Sequence, residues 1–354
     1  MTETQSAYTV VFASNERGVL PLTVAAFSLV DSARETTTYD IVILSEGICE
    51  KSQESIVESI KRVSPRHSVR FFEMSSLYEK QQELDEVCGH WPKSAWARIF
   101  IADLLPDVDR VLYLDIDMLI CEDCTELFTM DMQGAAVGAV YESISSKNNN
   151  YNDKLNIPKQ YQGYFNSGTL LMDLNVFRRD KLASKILNFA NQYKEHLDYP
   201  DQDCLNGALY DNVIRLHPRW NWNDLTTRRV MNHLPNTNTL IRASTYKEII
   251  EASVYPAIIH FFGGDKPWKY NYRIMRNRYE AALKKSGVAG YNLHDGWSFK
   301  IFLNRIFYPV IYAMVWHRVR KMRKYFNITE PPPASTWGHS RDIATKGWDA
   351  ELYQ

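Results

Sequence analysis

A chain of 354 residues, 45% hydrophobic and 13% aromatic, can bury a large core, which points to a folded, globular protein and excludes a disordered one. Its 41 basic and 42 acidic residues nearly cancel, so no overall field gathers nucleic acid and a charged partner has to be met locally. Five cysteines, an odd number, and an opening "MTETQSAY" without basic flank or apolar signal core make a reducing cytoplasm the expected home.

The first third alternates strand and helix patterns. "YTVVFAS" (8–14) reads as a strand, "LPLTVAAFSLVDSA" (20–33) as a helix and "YDIVILSEG" (39–47) as a strand. The helical "EKSQESIVESIKRV" (50–63) and the strand "SVRFFEM" (68–74) follow, then "SAWARIFIADLL" (94–105) and the strand "RVLYLDID" (110–117). Such alternation predicts parallel strands joined by crossover helices, with ligands at the carboxyl ends of the strands. After the first strand stands "ASNERGVL", not a Gly-rich phosphate loop, which disfavours a dinucleotide dehydrogenase or a P-loop enzyme. Cys121 and Cys124 form a C-x-x-C, but no second pair completes a zinc site and the motif does not open a helix. A structural or incidental role is expected for them.

Asp115 and Asp117 fall where "RVLYL" runs out, on the predicted ligand rim. By position alone they serve equally well as caps of a following turn. Spaced at i and i+2 on a strip that bends, both can face one hard cation while Ile116 between them anchors the strip in the core. Such a cation would hold a diphosphate, and a third ligand is then expected elsewhere. The candidate is His260 in "YPAIIHFFGGDKPW" (255–268), where the following Gly263 and Gly264 let backbone approach a ligand and Lys266 can aim a charge at phosphate. A histidine alone in an apolar run is more often a satisfied core residue. Two further segments carry polar groups: "YFNSGTLLMDL" (164–174) interrupts a buried strand, and "YPDQDCLNGAL" (199–209) opens a helix with an acidic cluster that N-capping also explains.

Taken in order, "VFASNE", "AWARIFIADLLPDVDRVLYLDIDMLI", "YFNSGTLLMDLNVFR", "DQDCLNGAL" and "IIHFFGGDKPW" resemble the retaining glycosyltransferases of family 8, particularly bacterial lipooligosaccharide galactosyltransferases and glucosyltransferases. The resemblance covers roughly residues 8 to 282 and implies an α/β GT-A fold, a UDP-sugar donor and a divalent metal, Mn²⁺ before Mg²⁺. It implies that Asp115, Asp117 and His260 ligate the metal, and that Gly263 and Lys266 support the UDP phosphates. Arg98, Asn166, Ser167, Asp201 and Gln202 match positions that hold the donor hexose, and Gln202 and Asp201 match the catalytic positions. Ala13, Asn15 and Ile116 fall where the family contacts the nucleotide; His90 and Glu142 fall where it contacts the acceptor. In "SNERG", Arg17 departs from the small amide common in the family's uridine site. Gln202 beneath the anomeric carbon is a poor nucleophile, which favours same-face substitution over a covalent intermediate. The alternatives are a catalytically silent sugar-nucleotide-binding protein and, less well supported because position 119 is Leu, a D-x-D phosphotransferase.

The expected catalytic domain is 1–285. Beyond it, "WSFKIFLNRIFYPVIYAMVWHRVRKMRKYF" (297–326) mixes aromatics with seven basic residues, and its uncharged stretch from Ile306 to Trp316 is shorter than the ~20 residues that span a bilayer. Residues 286–330 are therefore expected to lie on the inner face of the cytoplasmic membrane, close to a glycolipid acceptor such as lipopolysaccharide core; packing on the catalytic domain is the plainer alternative. "EPPPAS" should end the helix, leaving 331–354 as a mobile end.

Overall fold

A computed structural model describes residues 7–74, 93–142, 151–161, 163–232, 244–270, 274–288 and 299–339. Its centre is an eight-stranded sheet in the order β10-β8-β6-β7-β4-β1-β2-β3. The strands are β1 (Tyr8–Asn15), β2 (Tyr39–Glu46), β3 (Ser68–Glu73), β4 (Arg110–Leu114), β6 (Val137–Tyr141), β7 (Phe165–Asp173), β8 (Val213–Leu216) and β10 (Ser335–His339). A separate two-stranded ribbon joins β5 (Met118–Ile120) to β9 (Ile258–His260).

The sheet is mostly parallel because crossover helices feed its first half. α1 (Val19–Asp31) links β1 to β2 and α2 (Glu50–Lys61) links β2 to β3, and both pairs run parallel. β4 joins parallel to β1, and β6 to β8. β7 enters antiparallel between β4 and β6, a reversal that hydrophobic pattern cannot announce because a buried strand reads alike in either direction.

Successive side chains fill cores on opposite faces. Val11, Ala13, Val42, Leu44, Val111 and Tyr113 pack with Trp96, Ile99, Phe100 and Phe177 on one side. Val10, Phe12, Ile41, Ile43, Leu112 and Leu114 pack with α1 and α2 on the other. α1 is apolar around nearly its whole circumference for a reason: Leu22, Ala25 and Leu29 face the sheet, while Leu20, Val24 and Phe27 face Tyr279, Ala282 and Leu283 of a further helix, Arg276–Ser286. Between β7 and β8 lie α3 (Leu182–Tyr193) and α4 (Pro200–Leu209), the latter buried at every residue, with Pro200 at its first turn.

The stretch 94–105 is not one continuous helix: a 3₁₀ segment at Ala97–Phe100 sits between two short helical pieces. Cys121 and Cys124 are both free thiols, Cys124 within the core.

In the C-terminal region part of the long helix packs on the catalytic domain and part is exposed. α5 (Asp224–Asn232) and α6 (Tyr246–Val254) receive Val315 and Val319 from the second half of α8 (Phe299–Tyr325), α7 being the label for Arg276–Ser286. Along α8, Phe302, Ile306, Phe307, Val310 and Met314 are between 47% and 58% exposed. No helix among the described residues is long and apolar enough to cross a membrane. Residues 335–339, expected in a mobile end, instead form β10. After Pro331, Pro332 and Pro333, the Ala334 amide donates to Glu126 Oε1 at 2.6 Å, the Ala334 carbonyl accepts from His217 N at 2.9 Å, and β10 pairs antiparallel with β8. The proline run keeps the backbone extended, and the open edge of β8 offers it hydrogen bonds.

Candidate active site

The site begins where β4 stops. Asp115 N still donates to Gly168 O of β7 at 2.8 Å, so the first acid is held by the end of the sheet ladder. Half-buried Ile116 packs into the α1-side core, and the chain re-pairs as β5 with Met118 opposite His260. Asp117 O accepts from Phe261 N at 2.9 Å across the ribbon. A sheet end and a two-stranded ribbon thus bring residues from distant parts of the chain to one point.

His260 Nε2 lies 3.1 Å from Asp117 Oδ1 and 4.0 Å from Asp115 Oδ2. One ligand atom from each of Asp115, Asp117 and His260 falls within 4.8 Å of the others, a set of two carboxylate oxygens and an imidazole nitrogen that suits Mn²⁺ or a similar divalent ion. The backbone of Gly168 backs the trio: a Cβ there would stand 2.6 Å from His260 Cε1 and 2.8 Å from Asp115 Oδ2. That close cradle and the donor set both fit a metal.

The other oxygen of Asp115 is committed elsewhere. Asp115 Oδ1 accepts from Arg98 Nη2 and from Tyr113 Oη, each at 3.0 Å. Arg98 is 4% exposed, stacks over the Tyr113 ring, donates to Ser167 O at 2.6 Å and reaches Asp201 Oδ2 at 3.4 Å. Burial opposes its charge, but Asp115, Tyr113 and Asp201 outweigh that and keep it a cation. Burial likewise raises the Asp201 carboxyl above its usual range, with Arg98 acting against the shift. Asp117 goes the other way: burial disfavours its charge, but His260 and Lys266 hold the carboxyl well below the usual range. Lys266 Nζ bonds both Asp117 Oδ2 and Phe261 O.

The first turn of α4 completes the wall. Gln202 Oε1 accepts from Ser167 N at 2.9 Å, Ser167 Oγ donates to Asp201 Oδ2 at 3.3 Å, and Gln202 Nε2 points to Glu142 Oε1 at 3.4 Å. A cleft of about 610 Å³ is lined by Arg98, Asp115, Asp117, Glu142, Asn166, Ser167, Asp201, Gln202, His260, Gly263 and Lys266. Its position at the carboxyl end of β4 is where an open α/β sheet collects ligands.

Residues 9–272 match the family description "Glycosyl transferase family 8". The chain belongs to glycosyl transferase family 8. It is 31% identical over 253 residues to general stress protein A of Bacillus subtilis, covering 70% of this chain and 82% of that protein. It is 30% identical over 179 residues to the lipopolysaccharide 1,2-glucosyltransferase of Escherichia coli, covering half of each. Among solved structures, the galactosyltransferase LgtC, in complex with donor and acceptor sugar analogs, superposes with a TM-score of 0.66 at 24% identity, covering 80% of this chain and 97% of that one. The fold of this family 8 glycosyltransferase is thus GT-A, and its membership implies a nucleotide-sugar donor and a saccharide acceptor.

Three of the expected contacts do not line the cleft of this glycosyltransferase. Ala13 is 8% exposed near the end of β1, Ile116 faces the core, and the Asn15 side chain caps the next turn by accepting from Arg17 N at 3.1 Å. Glu16 is engaged by Cys49 N at 2.9 Å and Ser52 Oγ at 2.7 Å at the start of α2. His90 lies outside the described residues. Sequence reasoning missed Tyr113, Gly168 and Asn221, whose Oδ1 lies 2.8 Å from His260 Nδ1. Only the polar break in "FNSG" hinted at any of them.

Proposed function

We propose that this enzyme transfers galactose or glucose from UDP to a saccharide acceptor with retention of configuration, using Mn²⁺, or Mg²⁺ in its place, held by Asp115, Asp117 and His260. The observation that carries this reading is the convergence of those three ligand atoms beside the Arg98, Asp201 and Gln202 wall. When bound, the ion supplies Lewis-acid stabilisation of the charge on the departing diphosphate. Lys266 and the Gly263 backbone support the same phosphates. Arg98, Asn166, Ser167, Asp201 and Gln202 hold the hexose through hydroxyl hydrogen bonds. Glu142, with His90, takes the acceptor side.

Gln202 supports same-face substitution over a covalent intermediate. It is a neutral amide, and its oxygen already accepts from Ser167 N. The acceptor hydroxyl then attacks from the face the diphosphate leaves, and a departing phosphate oxygen takes its proton. Gln202→Ala should retain measurable transfer, whereas Asp115→Ala or Asp117→Ala should nearly abolish it; wild-type turnover in Asp117→Ala would reject the metal assignment.

The deciding experiment is a screen of UDP-hexoses for slow Mn²⁺-dependent hydrolysis without acceptor. Cleavage of one hexose identifies the donor, and a donor that binds without being cleaved favours a silent binding protein. For the acceptor, we place the exposed apolar residues of α8 and the basic Arg318, Arg320, Lys321, Arg323 and Lys324 on the inner face of the cytoplasmic membrane, where a lipid-linked glycan such as lipopolysaccharide core is presented. Sedimentation with anionic liposomes tests this, and full-length protein that stays in the supernatant refutes it.

A further inference from the structure

Asn221 ends a 3₁₀ turn, Pro218–Asn221, is 4% exposed, and is held at both ends of its amide. Its Nδ2 donates to Asn166 Oδ1 at 2.8 Å, and its Oδ1 faces His260 Nδ1 at 2.8 Å. Asn166 Oδ1 also accepts from the backbone of Gly168 at 3.0 Å. A backbone N–H can only donate, so the atom of Asn166 beside it must be the oxygen. That oxygen can only accept, so the atom of Asn221 beside it must be the nitrogen, which turns the Asn221 oxygen toward His260. The ring nitrogen facing that oxygen must then carry the hydrogen.

We propose that Asn221 is a positioning residue that keeps the hydrogen of His260 on Nδ1 and thereby presents Nε2 as a lone pair to a divalent cation between Asp115 and Asp117. Fixing the far nitrogen of a ligating imidazole sets both its tautomer and its ring angle. Without that anchor, Asp117 Oδ1, 3.1 Å from Nε2, would draw a hydrogen onto the nitrogen that has to face the cation. The same relay leaves Asn166 its N–H pair for the cleft, so that residue reads an oxygen acceptor. The inference rests on the metal reading of the trio, and its test separates the two.

Side-chain ¹⁵N NMR of histidine-labelled wild-type protein, without metal and with diamagnetic Mg²⁺, should show a hydrogen bonded to His260 Nδ1 in both samples. A bare Nδ1 overturns the proposal and needs no variant. In a Mn²⁺ titration followed by electron paramagnetic resonance, Asn221→Leu should weaken binding about 10- to 100-fold. Asn221→Asp keeps an acceptor for the ring but sets its second oxygen against Asn166 Oδ1, so it should recover part of the affinity lost in Asn221→Leu. Equal losses in both variants, or wild-type affinity in a folded Asn221→Leu, overturn it, because a purely structural role would shift the melting midpoints without splitting the two affinities. Wild-type protein that binds no Mn²⁺ sinks the metal reading, and the NMR spectrum then decides the tautomer alone.

Discussion

An added methyl group at Gly168 would have to share space with His260 Cε1 and Asp115 Oδ2, both under 3 Å away. Gly168→Ala should therefore spread the trio, weakening Mn²⁺ binding by about tenfold or more and destabilising the fold by about 1–3 kcal/mol, as read by metal titration and by urea melts. Asp117 carries a pH signature as well. Its folded carboxyl titrates below the ordinary 3.8, so the stability it contributes is full above that value and is lost as pH falls through the lower folded value. Asp117→Asn should be less stable than wild type near neutral pH, by about 1–3 kcal/mol, and the gap should close under strong acid; a gap independent of pH would reject this reading. At this scale the sequence showed the acids and His260 because charge and imidazole stand out in apolar runs. It hid Asn221 and Gly168, each far along the chain from the side chains it meets, because little local distinguishes a relay amide or an absent Cβ from ordinary turn and strand residues.

Among the elements, α3 and α4 approach so closely that a Cβ on Gly207 would lie 2.0 Å from Phe189 Cζ. Gly207→Ala should push α4 outward, with Asp201 and Gln202 at its first turn. The expected result is about 1–3 kcal/mol less stability in urea and lower activity, with Mn²⁺ affinity unchanged because the metal trio is carried by other elements. The parallel half of the sheet was legible in the sequence, since β1, β2 and β4 are continuous apolar runs separated by helical patterns. The reversal at β7 was not, nor was the 3₁₀ break that seats Arg98, because both follow from what the chain packs against. α8 bears out packing on the catalytic domain for its later turns. Val315 and Val319 belong to the core shared with α5 and α6, and the turns before them do not.

For the whole molecule, β10 ties the C-terminal segment to the catalytic sheet. A chain ending at Ala334 should melt lower, by about 2–4 °C for each kcal/mol lost, because the outer edge of β8 loses its ladder; an unchanged midpoint would show that the strand contributes nothing. The proline run misled the sequence reading because it breaks helices without forbidding an edge strand. The β5–β9 ribbon has a consequence for how the protein is made. On the ribosome the two acids emerge long before the histidine, so a nascent chain carries two of the three ligands and cannot complete the trio until β9 has folded back onto β5. Cation capture would then follow the pairing of β9 with β5, and at a hundredfold excess over Kd it would add about 2.7 kcal/mol to the finished fold and nothing to a chain that stops short of His260.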